Sequence, residues 1–376
     1  MSDMKVVLAG GGTAGHVNPL LATAALLKER DVEVLVVGTR EGLEAELVPN
    51  AGFSFATIDR VPFPRRPDLN ALRFPRKFLH ALTEAGNIYE DFQPDVLVGF
   101  GGYVSTPMYI EAAKRSIPIV VHEQNAKPGL ANKVGARKAH TVALTFSSTP
   151  LNATQGTTLS IGLPLRRAIA ELARLSDSKR HARRAQAADT LGLKADMPTL
   201  LVTGGSLGAQ HINDVIQECL EPIVDTKIQV LHLTGKGKAE EIRKALEVSP
   251  AKDNYHVREY LENMEDAYSV ADLVVCRSGA GTVAELAALG IPAVYVPLPI
   301  GNGEQELNAA DVVEAGGGIV VRDAQFNAHF FVNQVLTLFH EPEVLRSMGA
   351  AAKLTSPTNA AESLADVIIS SVKDKK

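Results

Sequence analysis

Cysteine is almost missing from this 376-residue chain: there are two, Cys219 and Cys276. Both fall in apolar-looking runs with no CxxC or Cys/His spacing. That excludes a disulfide framework and a zinc site, and fits a reducing compartment. Long apolar runs are missing as well. None approaches the roughly 20 residues that span a bilayer. Met1–Lys5 leads straight into a strand, without a charged-then-apolar signal region, so any membrane contact is expected to be peripheral. Nor is there an excess of positive charge. Thirty-eight Lys and Arg against 43 Asp and Glu leave a net charge of −5, which lacks the basic footprint of a nucleic-acid binder. What remains is ordinary globular material, 45% hydrophobic and 22% charged, of a length that predicts two domains.

The most informative stretch is Val274–Pro292, VVCRSGAGTVAELAALGIP. The apolar run Leu273–Cys276 reads as a buried strand, and Val283, Leu286, Ala287 and Leu289 are spaced for one face of a helix. Strand, small-residue turn and helix present free backbone N–H groups at a helix N-terminus, where a phosphate is favoured. Glu285, expected in the first turn or so, either binds a vicinal diol such as a ribose or merely complements the helix dipole.

The same pattern opens the chain. Lys5–Ala9 is a strand, Gly10, Gly12 and Gly15 satisfy GxGxxG, and a helix follows with Leu20, Leu21, Ala24 and Leu27 on one face. Pro19 is expected in that helix's first turn. A dinucleotide site would want an acidic residue after the next strand. Glu33–Val37 instead ends Gly38-Thr39-Arg40, which argues against NAD and leaves only Arg40 for an NADP 2′-phosphate. His16 follows the glycines directly, at the edge where open α/β sheets bind ligands, and is a candidate general base. Residues 61–82 interleave Leu69, Leu72, Phe78, Leu79 and Leu82 with Arg65, Arg66, Arg73, Arg76 and Lys77. That is the composition of an interfacial membrane contact, or of a half-buried loop and helix with solvated arginines.

Asp95–Phe100 is a further buried strand before a second glycine turn, Gly101-Gly102-Tyr103. Pro118–Val121 ends in His122-Glu123-Gln124-Asn125, where Asn125 suits a sugar hydroxyl. Gly162–Arg166 reads as the crossing to the second half, with Arg166 able to reach a diphosphate. The basic, Ala-rich segment Lys179–Asp189 has no apolar stripe and reads as a solvated helix. The second half repeats the scheme. Thr199–Val202 precedes a glycine turn whose Ser206 suits a phosphate. Val230–Leu233 and Val257–Leu261 follow, the last offering backbone to a base edge. Pro292–Pro297 ends in a loop where Gln305 suits sugar recognition. Helices are expected at Asp311–Glu314, Ala328–Leu338 and Ala360–Val372. The fold class is therefore α/β, with two Rossmann-like doubly wound parallel sheets facing across a cleft that takes the ligand. There is no Asp-x-Asp in the chain, so neither a metal nor a cofactor is expected, and helix N-termini with Arg166 would hold a diphosphate's charge.

Seven motifs in register, GGGTAGH, GFGGYVS, HEQN, GLPLR, TGGSLGAQ, CRSGAGTVAE and GNGEQELNA, span nearly the whole chain. With them the chain resembles the MurG family, the UDP-N-acetylglucosamine–N-acetylmuramyl-(pentapeptide) pyrophosphoryl-undecaprenol N-acetylglucosamine transferases. The resemblance implies the GT-B fold. It also implies inverting transfer of GlcNAc from UDP-GlcNAc to the muramyl 4-hydroxyl of lipid I. The product, lipid II, feeds peptidoglycan and so cell-wall biogenesis, shape and division. By the same resemblance Thr13, Ala14 and Gly15 line the donor sugar, and Asn125 and Gln305 contact its hydroxyls. Arg166 and Ser206 meet the phosphates, and Leu261 meets the uracil through its backbone. Ala280, Gly281, Thr282, Val283, Ala284 and Glu285 hold phosphate and ribose. His16 is the base, with Gly12, Gly101, Gly102 and Tyr103 on the acceptor side. The chain departs from the family at Ala14, where many members have glycine, and at Glu304-Gln305, where they often have Gln-Gln. The implied domains are 1–163, on the acceptor and membrane side with a C-terminal helix of about 358–376 packing back on it, and 164–357 for UDP-GlcNAc. The implied location is the cytoplasmic face of the cell membrane, held peripherally on its anionic surface through residues 61–82. Two other functions suit the architecture: a UDP-GlcNAc 2-epimerase-like isomerase, and a nucleotide-sugar sensor without turnover.

Overall fold

A computed structural model describes residues 4–64, 69–205, 208–300 and 303–373, the side chains of residues 69–71 excepted. The chain divides into two compact units, Met1–Arg166 with Asn359–Lys376, and Arg167–Thr358.

The first unit is built on strands β1 (Lys5–Ala9), β2 (Glu33–Gly38), β3 (Ser54–Thr57), β4 (Val96–Gly99), β5 (Ile119–Glu123), β6 (Thr141–Leu144) and β7 (Thr157–Ser160). They form one parallel sheet in the order β3-β2-β1-β4-β5-β6-β7. The strands read as unbroken apolar runs because both faces are covered. Alternate side chains go to opposite layers. Val7, Ala9 and Leu97 pack with Met108 and Tyr109 of the helix Ser105–Lys114. Val6, Leu8 and Val98 pack with Leu20, Ala24 and Leu27 of the helix Ala14–Glu29, and with Leu364, Ala365 and Ile368 of the C-terminal helix Ala360–Lys373. Ile368 is fully buried there. Removing one methylene with Ile368→Val is expected to cost about 0.5–1.5 kcal/mol. Urea unfolding of the two proteins checks this, and an unchanged midpoint would mean that the helix contributes nothing to this core.

The second unit carries β8 (Thr199–Thr203), β9 (Gln229–Leu233), β10 (Tyr255–Arg258), β11 (Leu273–Cys276), β12 (Ala293–Tyr295) and β13 (Gly318–Val320), again parallel, in the order β10-β9-β8-β11-β12-β13. Each sheet runs one way from its first strand and then the other. The reversal falls between β1 and β4 in the first unit and between β8 and β11 in the second. Such switch points open crevices at the strand C-termini.

Several elements differ from the sequence reading. Pro19 is the sixth residue of its helix, not in the first turn, because the N–H groups of His16 and Val17 already bond the Thr13 carbonyl. Lys179–Asp189 is not simply solvated. The helix Asp177–Leu191 buries Ala187, Ala188 and Leu191. Its arginines are spent on the fold: Arg180 donates to the Leu289 carbonyl at 3.1 Å, Arg184 pairs with Asp272 at 2.8 Å, and Arg183 pairs with Asp266. A contact face made of alanine and arginine leaves no apolar stripe to read. Ala328–Leu338 is not one α-helix. It runs α over Ala328–Phe330, π over Phe331–Val335 and 3-10 over Leu336–His340, which brings Phe331, Val335 and Leu336 all into the core.

Candidate functional site

At the first switch point two glycine turns interlock. After β1 the chain turns through Gly10–Gly12, with Gly12 at φ +89°. After β4 it turns through Gly101 and Gly102, at φ +89° and +84°. A side chain at position 102 would put its Cβ 2.7 Å from the Gly11 carbonyl oxygen, and one at 101 would come 3.3 Å from His16 Nε2. Only glycine permits both the left-handed backbone and this approach. The Ser105 hydroxyl donates to the carbonyls of Ala9 and Gly101, 3.1 and 2.8 Å away, tying the two turns together. His16 is thus presented at the sheet edge, half-buried, with Nδ1 3.1 Å from the Thr13 hydroxyl. Burial lowers its pKa from the ordinary imidazole value, against the opposing pull of a backbone hydrogen bond at Gly11 and the charge of Glu44. A ring kept neutral can accept a proton. Thr13, Ala14 and Gly15 are exposed beside it, as are Gly12 and, in part, Tyr103, whose ring lies 4.9 Å from the Arg60 guanidinium.

The turn after β5 is braced from below. Glu123 accepts from the N–H groups of Asn125 and Gly129 and from the Asn132 amide, each at 3.0 Å. The Tyr109 hydroxyl donates to Asn132 Oδ1 at 2.8 Å. Burial raises the pKa of Glu123, and those three donors oppose it. His122 is buried against Phe100 and hydrogen-bonded to the Gly162 carbonyl at 3.1 Å; burial pulls its pKa down to about 4. Glu123 and His122 are therefore scaffold, and Asn125 is the half-exposed group that the turn offers. Arg166 closes the first unit, half-exposed.

At the second switch point the helix Ala280–Leu289 starts from Gly279 with no side-chain cap. The Val283 N–H bonds the Gly279 carbonyl, so the N–H groups of Ala280, Gly281 and Thr282 are the ones without an intrahelical acceptor. A Cβ at Gly279 or Gly281 would meet nothing within 4 Å, so the approach to this backbone is open. Val283 and Ala284 bury their side chains in the core and can serve a ligand only through backbone. Glu285 lies in the second turn, not the first. It is 9% exposed, and its Oε2 accepts from the Tyr268 hydroxyl at 3.2 Å. Gln305 uses its side-chain oxygen to accept from the Leu298 N–H at 3.0 Å, holding the loop after β12. Leu261 follows β10 and is half-buried. Ser206 lies outside the described residues, as do Arg65 and Arg66.

The strand directions thus gather His16, Thr13–Gly15, Gly101–Tyr103 and Asn125 along one sheet edge, and Leu261, Ala280–Glu285 and Gln305 along the other. Sequence reasoning passed over the groups that hold these edges. Arg277 is paired with Asp323 and donates to the carbonyls of Val296 and Pro297. The Asn308 amide donates to the Ser278 carbonyl. Glu44 bridges the first glycine turn to Thr39. Only Arg277 was signalled, as a cation directly after a buried strand. Among the described residues one trio could ligate a metal, Asp59, His80 and Glu84. It is largely exposed, and its atoms already pair with one another.

Residues 6–144 match the glycosyltransferase family 28 N-terminal domain and residues 199–364 its C-terminal domain. Two relatives, from Bifidobacterium adolescentis and a Nocardioides species, are both named UDP-N-acetylglucosamine–N-acetylmuramyl-(pentapeptide) pyrophosphoryl-undecaprenol N-acetylglucosamine transferase. They are 46% and 47% identical, over 98% and 97% of this chain and 98% of each relative. The crystal structure of Acinetobacter baumannii MurG superposes with a TM-score of 0.78 at 29% identity, covering 98% of this chain and 99% of that one. The UDP-GlcNAc 2-epimerase of Neisseria meningitidis, bound to UDP-GlcNAc, shares the fold alone, at 15% identity and a TM-score of 0.69 over 98% of this chain and all of that one. With two Rossmann-like units in the GT-B manner and relatives matched along nearly its full length, the chain belongs to the N-acetylglucosaminyltransferases of glycosyltransferase family 28, the MurG family.

Proposed function

We propose that this chain transfers GlcNAc from UDP-GlcNAc to the muramyl 4-hydroxyl of lipid I, with inversion, forming lipid II for peptidoglycan. The observation that carries the reading is the near full-length match to transferases of that name. The geometry supports the roles. His16, neutral near pH 7, takes the proton of the acceptor hydroxyl as that oxygen attacks the anomeric carbon and UDP departs. Thr13–Gly15 and Asn125 attend the sugar, Gly12 and Gly101–Tyr103 the acceptor. The open N–H groups of Ala280–Thr282, with Arg166 and Ser206, meet the diphosphate, where charge builds in the transition state. Glu285 holds the ribose, Leu261 the uracil and Gln305 a sugar hydroxyl.

The acceptor is lipid-borne, so the enzyme works at a membrane surface, held there peripherally on the cytoplasmic side. Among the described residues no helix is long and apolar enough to cross a membrane. The helix Leu69–Phe92 exposes Leu72 (78%) and Leu79 (64%) beside Arg73, Arg76 and Lys77. Phe63, Phe74 and Phe78 cluster with one another, ring centroids 5.2–6.2 Å apart, and Phe63 is itself exposed. Apolar tips among cations suit an anionic lipid surface. UDP release from UDP-GlcNAc is expected only when a lipid-linked muramyl acceptor is present. Equal release without acceptor would defeat the reading, and formation of UDP-ManNAc would replace it with epimerisation.

A further inference from the structure

The glycine turn that presents His16 is held by a carboxylate that none of the roles above uses. Glu44 opens the short helix Glu44–Asn50 and is fully buried. Its Oε2 accepts from the Gly12 N–H at 2.8 Å. Its Oε1 accepts from the Thr39 N–H at 2.9 Å and the Thr39 hydroxyl at 2.8 Å. The carboxylate therefore spans from the turn after β1 to the end of β2. Room for it is made by glycine: a Cβ at Gly11, Gly38 or Gly42 would fall 2.2–2.3 Å from Glu44 side-chain atoms. Burying a carboxylate is costly unless it is hydrogen-bonded. Burial raises the Glu44 pKa, but the donors at Gly12 and Thr39 outweigh it, so the group is held below the usual carboxylate range and stays charged. Three glycines cleared for one buried anion go beyond what closing a turn requires.

We propose that Glu44 is a positioning residue for the transfer reaction: it fixes the Gly10–Gly15 turn in its reactive shape and sets a negative charge near the His16 imidazole. The proposal rests on His16 as the base. Of the influences on the ring's titration, burial lowers its pKa, while the backbone at Gly11 and the Glu44 carboxylate raise it. The backbone at Gly101 also approaches the ring, and the Asn132 amide next to Gly101 is itself held by Glu123. Losing the Glu44 charge moves the imidazole pKa further down and makes it a weaker base.

The test is Glu44→Gln, which keeps the shape but turns an amide donor toward one of the N–H groups. The expected result is a fall in kcat of about 10- to 100-fold, with the acid limb of the kcat profile moved to lower pH and the dissociation constant for UDP unchanged. A wild-type kcat, or a slowed enzyme whose acid limb has not moved, overturns the proposal. If that variant does not fold, the pair Thr39→Val and Thr39→Ser decides. The valine removes one hydrogen bond to Glu44 and is expected to slow the enzyme and shift the limb by a smaller factor, and the serine is expected to restore both; equal rates and limbs in the two overturn the proposal. His16→Ala at the wild-type rate would defeat the reading of His16 itself, whatever the Glu44 variant does.

Discussion

Replacing His16 with alanine is expected to lower kcat by about 10²–10⁴-fold, the usual contribution of a positioned general base, while the KM for UDP-GlcNAc stays nearly unchanged. A base acts in the transition state, so its loss appears in kcat and kcat/KM equally. Steady-state kinetics with a lipid-linked acceptor measures both. The geometry behind the split is local. The ring stands on the glycine turns after β1 and β4, beside Thr13 and the Gly101 backbone, whereas the N–H groups proposed for the diphosphate lie on the helix Ala280–Leu289. The pH dependence has a definite sign. Burial lowers the His16 pKa, and the base works only when unprotonated. The acid limb of kcat should therefore fall below the ordinary imidazole range, and it should vanish in the alanine variant. A variant that keeps the wild-type kcat would remove His16 from the chemistry.

Glu285→Ala is expected to act on the other side of the reaction. Losing a charged hydrogen-bond partner costs about 1.5–3 kcal/mol, so the affinity for UDP should drop roughly 10- to 150-fold, with a smaller effect on kcat at saturating donor. Titration calorimetry with UDP measures this directly. Glu285 also receives the Tyr268 hydroxyl, so Tyr268→Phe is the control: it removes that donor and leaves the carboxylate in place. A Glu285→Ala protein that binds UDP as the wild type does would return the residue to its alternative reading, a charge that only complements its helix.

Both predictions concern residues that the sequence displays. His16 and Glu285 sit next to strand-turn-helix junctions, and those junctions are legible because parallel strands, covered on both faces, leave unbroken apolar runs that end in glycine. The two switch points follow from strand order, which repeats in each half. What supports the junctions is not legible. Glu44 is 32 residues from the Gly12 N–H it receives, in a stretch without periodicity. Its importance comes from burial, and burial arises only when β1 and β2 lie side by side. Asn132 and Tyr109 carry no signal of their own in the sequence, and they matter through Glu123, at the end of the strand between their two helices. The arginines of Asp177–Leu191 read as solvated because a contact face of alanine and guanidinium has no hydrophobic signature. Short-range pattern marks where a ligand is met, while the braces beneath are long-range and polar.

The return of the last helix to the first unit has a consequence for biosynthesis. The second unit is contiguous, from Arg167 to Thr358, and Arg174 donates to the Thr358 carbonyl at 2.8 Å, near both of its ends. It is complete as soon as Thr358 has left the ribosome. The first unit is not, because Leu364, Ala365 and Ile368 belong to the core around Leu20, Ala24 and Leu27. The usual vectorial order, N-terminal domain first, is thereby inverted. The unit that carries His16 is begun before the second and finished after it, and its apolar surface waits for the helix Ala360–Lys373. A nascent chain stalled before residue 360 would hold a finished second unit and an open first unit, and would draw chaperones to the first unit alone.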